Sequence, residues 1–137
     1  MRQIFTAFFF VLISHMALAQ DTKVVYHLTT GIDTAAAALN NVKNHVAADP
    51  TAKIVVVTNG PGIDFLIADA KDSKGRDFSG SVSDLAAKGV EFRVCNNTLT
   101  GRHIDPSKLL LETKIVPSGV AEAAKLQSKE GFAYLKP

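Results

Sequence analysis

A single cysteine, Cys95, stands between a short apolar run and a polar stretch in "VEFRVCNNTLTGR", residues 90–102. The reactive form of this residue is the thiolate, and a free cysteine has a pKa of about 8.5. Unpaired backbone N–H groups at a helix start favour that negative form. Asn96, Asn97 and Thr98 are capping and turn residues, and residues 99–102 suit a first helical turn. Arg93 and Arg102 are expected to add positive potential. The stretch therefore suits an activated thiolate that carries a persulfide or forms a mixed disulfide. It equally suits a buried cysteine packed as a small hydrophobe, the common fate of a free thiol. On the residues alone both readings stand.

The surrounding sequence narrows the chemistry. There is no CxxC pair, so dithiol exchange within one chain is excluded, and no cysteine cluster supports structural zinc. His27 and His103 are the imidazoles that could converge on Cys95, as a Cys–His pair or an open metal site. A lone histidine is more often structural, so no metal is assigned. The turn "TNGPGIDF", residues 58–65, is a second candidate. Asn59, Gly60, Pro61 and Gly62 follow a strand-like run, and the two glycines let backbone approach a ligand. The turn matches neither a P-loop nor GxGxxG, so nucleotide binding has little support. Asp64, Asp69 and Asp105 form no acid–base pair. Asn96-Asn97-Thr98 fits a glycosylation acceptor pattern, but turn and cap chemistry already explains those residues.

Composition sets the context. Arg2 is followed by a nearly continuous apolar run from 4 to 12 and by Ala17-Leu18-Ala19, the layout of a secretory signal peptide cleaved after Ala19. The apolar run is shorter than the roughly 20 residues of a membrane span. A mature chain over residues 20–137 is expected to be one soluble domain with no membrane association. Loss of Arg2 lowers the net charge from +2 to about +1. Basic residues are interleaved with acidic ones and form no stripe, so nucleic acid is not an expected partner. An exported chain with one cysteine cannot close an internal disulfide, and an oxidising compartment penalises idle exposed thiols. The placement of Cys95 therefore carries weight.

The elements that must position these residues alternate in type. "KVVYHL" (23–28), "KIVVVT" (53–58), residues 90–94, residues 114–116 and residues 132–135 read as strands. Between them, Ala35, Ala38, Leu39, Val42 and Val46 form a helical stripe, with Asp33 as N-cap and Asp49-Pro50 as stop. Residues 63–70 predict a short helix, residues 71–80 an exposed loop, and Val82, Leu85 and Ala86 another helix ended by Gly89. Residues 105–112 are helix-prone. Ser118 caps a last helix through Gln127 with Val120, Ala123 and Ala124 inward. This pattern predicts an α/β sandwich with a mostly parallel sheet and helices on both faces. Ligands of such sheets bind at the carboxyl ends of the strands. The turns 29–31, 59–62, 95–98 and 117–119 then share one edge, and Cys95 lies on it.

Four stretches, "VVYHL", "KIVVVTNGPGIDFLI", "LAAKGVEFRVCNNTL" and "IVPSGVAEAAKLQSKEGFAYLKP", together resemble the DsrE/DsrF-like family, in its exported branch. The resemblance implies a three-layer sandwich with about five strands in a mostly parallel sheet, and homotrimers or homohexamers. It implies a sulfur relay between donor and acceptor proteins without a cofactor. Cys95 matches the family cysteine that carries sulfane sulfur as a persulfide. Asn96, Asn97 and Thr98 would stabilise the anion, with Asn59, Gly60, Pro61 and Gly62 shaping the adjoining wall. The expected setting is the periplasm. The alternative is a non-catalytic oligomeric module that binds a small ligand or protein, with Cys95 buried as packing.

Overall fold

The computed structural model describes residues 21–137, and the leader expected over residues 1–19 lies outside the described residues. Five strands form one sheet: β1 (Lys23–Leu28), β2 (Lys53–Thr58), β3 (Glu91–Cys95), β4 (Thr113–Val116) and β5 (Ala133–Leu135). Their order is β4-β3-β2-β1-β5, and every pairing is parallel. The apolar runs of β1 and β2 follow from this geometry, because a strand covered on both faces has no side to give to water.

Four helices complete the layers: α1 (Ile32–Ala48), α2 (Ser79–Ala87), α3 (Asn96–Gly101) and α4 (Gly119–Glu130). Strands β1 to β4 are added in one direction, and right-handed crossovers put everything between them on one face. The larger core lies there, with Ala35, Leu39, Val82, Leu85 and Leu99 packed on Tyr26, Val56, Phe92 and Val94. The last crossover reverses direction to place β5 beyond β1. The same handedness then sends α4 to the opposite face, where Ala123, Leu126 and Phe132 cover Val25, Val55 and Val57. The three-layer, parallel expectation holds.

Several local expectations do not. Residues 63–70 form no α-helix; a 3-10 helix spans Gly60–Leu66, opened by Pro61 in its first turn. Ile63, Phe65 and Leu66 are all buried, a spacing no single α-helical stripe provides. Beyond it the chain extends, with the Ala68 N–H donating to Lys108 O and the Leu110 N–H to Leu66 O, both at 2.9 Å. That pairing also denies residues 105–112 their helix. Only Pro106–Lys108 make a 3-10 turn, capped by Asp105, whose carboxylate accepts from the Ser107 N–H. The Ser79 start of α2 lies inside the expected loop. Gly31, not Asp33, caps α1. Helix α4 runs three residues past Gln127, and Gly119, Ala123 and Leu126 face inward while Val120 is 60 % exposed. Ala124 is exposed too.

Candidate functional site

Cys95 is the last residue of β3 and the N-cap of α3, so the strand hands its final side chain to the carboxyl edge of the sheet. Alternation along β3 puts Glu91, Arg93 and Cys95 on the face that α4 covers. The residue is only 4 % exposed. Its side chain makes no cap hydrogen bond.

Two helix starts meet at this sulfur. Helix α3 begins at the next residue and offers the Thr98 N–H and, shared with Pro117 O at 3.3 Å, the Asn97 N–H. Helix α4 begins at Gly119, which packs directly on Cys95. A Cβ added at Gly119 would lie 3.0 Å from Thr58 O and 3.2 Å from both Cys95 Cβ and Asn59 Cβ. Only a residue without a side chain lets α4 start so close to the strand ends. Two donors of that first turn are taken up by Ser118. Ser118 Oγ accepts from the Ala121 N–H at 3.4 Å, and Ser118 O accepts from the Glu122 N–H at 2.9 Å. The Gly119 N–H is left to face the thiol.

These surroundings set the acidity of Cys95. Burial pushes the thiol up, and it is opposed by the Gly119 N–H, the Thr98 hydroxyl and the Thr98 and Asn97 N–H groups; the net effect holds it below the ordinary thiol value. Arg93 and Arg102 are not among the groups that chiefly set it, although positive potential was expected of them. Arg93 is bound to Glu91 and Glu122, and Arg102 to Asp64 at 2.6 Å. Each charge is met by a carboxylate before it can act on the sulfur.

The glycine turn touches the site through one atom. The Gly60 N–H donates to Thr98 Oγ1 at 2.9 Å, which turns the Thr98 hydroxyl proton towards the sulfur. Arg102 ties the same turn down by donating to Gly60 O at 3.2 Å. Gly62 serves packing instead. It is buried beneath β1, and a Cβ there would sit 2.2 Å from Leu28 O. Pro61 is exposed in the first turn of the 3-10 helix, and Asn96 is exposed on α3.

Asn59 belongs to a neighbouring arrangement that the sequence did not reveal. His27 Nε2 lies 2.6 Å from Asn59 Oδ1, and His27 Nδ1 lies 2.8 Å from Tyr134 Oη. With the amide oxygen as acceptor, Nε2 carries the proton and Nδ1 accepts from the tyrosine. The buried imidazole thus links β1 and β5 to the turn after β2, at the place where strand order reverses, and Asn59 stands between it and Cys95. His27 makes no hydrogen bond to the thiol. His103 is exposed beyond the C-terminal end of α3. Among the described residues no group of three or more His, Cys, Asp or Glu side chains is placed to hold a metal ion.

The arrangement can bind and stabilise a sulfur anion on Cys95 through fixed N–H and O–H donors. It contains no general base beside the thiol. The DsrE/DsrF-like family matches over residues 11–137. Among solved structures, MTH1491 from Methanobacterium thermoautotrophicum, a protein of unknown function, is similar at 33 % identity with a TM-score of 0.76. The match covers 85 % of this chain and 100 % of that one. The ychN protein of E. coli shares the fold at 15 % identity and a TM-score of 0.65, over 85 % of this chain and 99 % of its own. No curated protein matches.

Proposed function

This chain belongs to the DsrE/DsrF-like family, a family associated with sulfur relay, and from that premise we propose that Cys95 carries sulfane sulfur as a persulfide. The observation that supports this most is the Cys95 sulfur set between the starts of α3 and α4, its pKa lowered by four surrounding donors. The Cys95 thiolate attacks the outer sulfur of a donor hydropersulfide. One S–S bond forms, the donor's S–S bond breaks, and the donor leaves as a thiolate. Release is the same step in reverse, with an acceptor thiolate attacking the outer sulfur and Cys95 leaving. No electron is gained or lost overall, so no cofactor is needed. The same N–H and hydroxyl donors stabilise the thiolate before loading and after release. The setting we propose is an exported homo-oligomer, supported by the leader-like residues 1–19 and by the exposed Leu111 and Ile115 at the β4 edge.

One observation favours the alternative of a binding module, and it is the 4 % exposure of Cys95. Intact mass after incubation with polysulfide separates the two. A gain of one sulfur, lost in Cys95→Ala, is the expected result. A folded chain whose thiol takes up no sulfur and resists alkylation would sink the carrier reading and leave Cys95 as packing.

A further inference from the structure

Arg93 lies two residues before Cys95 on β3, so both side chains leave the sheet on the α4 side. Its guanidinium is held from two directions. Nη2 donates to Glu91 Oε2 at 2.8 Å, and Nη1 donates to Glu122 Oε1. The side chains of Arg93 and Glu122 are 16 % and 13 % exposed. Lys114 on β4 adds a contact to Glu91 at 3.2 Å. Two cations meet two carboxylates, so the cluster exerts little net field. What it supplies is position. Glu122 stands one helical turn after Gly119. Beside the Asn97 N–H that donates to Pro117 O at 3.3 Å, a tie from Glu122 to β3 therefore helps fix where α4 begins relative to the strand that carries the thiol. The apolar contacts of Ala123 and Leu126 lie further along and hold the helix body, not its first turn.

Resting on the reading of Cys95 as a reactive thiol, we propose that the Arg93–Glu122 pair is a positioning device that keeps the Gly119 N–H on the Cys95 sulfur. Neither residue touches the reacting atoms; both act through the start of α4. The charged and titratable groups around Cys95 are those of the clamp, namely Glu91 and Arg93 on β3, Lys114 on β4 and Glu122 on α4. Beyond them stand Arg102 paired with Asp64 beside the glycine turn, and His27 with Tyr134 behind Asn59. None of these is among the groups that chiefly set the acidity of the thiol. A change of acidity on breaking the clamp would therefore come from moved backbone.

The test is the pH–rate profile of iodoacetamide alkylation of Cys95 in the purified protein, alongside thermal melting. Arg93→Met and Glu122→Ala are each expected to raise the apparent pKa, with alkylation at pH 7 falling about three- to tenfold as the thiolate fraction drops. Arg93→Lys, which keeps the ion pair, retains most of the wild-type profile. Glu122→Gln, which keeps a neutral hydrogen bond and the side-chain shape, gives a smaller rise and serves if the alanine variant fails to fold. The two truncations remove opposite charges, so a through-space effect would move the pKa in opposite directions. Opposite shifts, or unchanged profiles in folded variants, overturn the clamp and leave the reactive thiol standing. A wild-type thiol inert in the folded chain overturns both.

Discussion

Gly119→Ala is the sharpest perturbation of this site because it changes one methyl group where two elements meet. The added Cβ would meet Thr58 O at 3.0 Å and the Cβ atoms of Asn59 and Cys95 at 3.2 Å. Thr58 is fully buried and its strand is paired on both sides, so that carbonyl cannot yield. The start of α4 must retreat by a few tenths of an ångström. Two energies oppose each other. Alanine is favoured over glycine in a helix by about 0.5–1 kcal/mol, and less at its first position. Overpacking a tight contact costs about 1–3 kcal/mol. The clash prevails, and a net loss of about 1–2 kcal/mol is expected in urea unfolding. The retreat also draws the Gly119 N–H away from the sulfur, so the thiol pKa rises and alkylation at pH 7 slows. Equal stability with an unchanged alkylation profile would refute the close-contact argument. A stability loss without a pKa change would refute the role given to the Gly119 N–H.

Other expectations follow from the same contacts. Thr98→Val removes the acceptor of the Gly60 N–H and a donor to the sulfur; it should cost about 1 kcal/mol in urea unfolding and raise the alkylation pKa. Gly62→Ala drives a Cβ to 2.2 Å from Leu28 O and should destabilise by about 3 kcal/mol or more, with the chemistry of any folded fraction unchanged. His27→Leu strips Tyr134 and Asn59 of a shared partner and should lower the melting temperature, while sulfur loading persists because the imidazole does not touch the thiol. The folded pKa of Cys95 is depressed, so the unfolded chain binds more protons between the folded value and the ordinary thiol value. Stability should therefore rise with pH through that window and fall as pH drops through the folded pKa, and Cys95→Ser should abolish this slope in pH-dependent unfolding.

The strand positions and the shared carboxyl edge were legible because a buried parallel strand leaves a β-branched run, as in residues 53–58. Cys95 at the end of β3 follows from the same pattern. Residues 117–119 were also expected at that edge, and a glycine opening a helix there was the available signal for the close approach of α4. The phase of α4 was not legible. Val120 and Ala124 fit an apolar stripe as well as Leu126 does, and only the crossing over β1, β2 and β3 decides which side faces in. Arg93 and Arg102 misled for a related reason. Glu122 and Asp64 are far from them in sequence, so their neutralisation is a tertiary fact. The His27–Tyr134 contact joins residues 107 apart, which no local pattern encodes.

The late position of α4 in the chain has a bearing on when the thiol becomes acidic. Strand β3 and helix α3 can form with Cys95 already in place, but the donor at Gly119 arrives only with the C-terminal segment that crosses the sheet and seats β5. A chain whose residues 119–137 are not yet seated lacks both that donor and the cover of α4 over the thiol. The full environment of Cys95, two helix starts and the cover over them, is thus a property of the completed fold and not of the strand that carries the thiol.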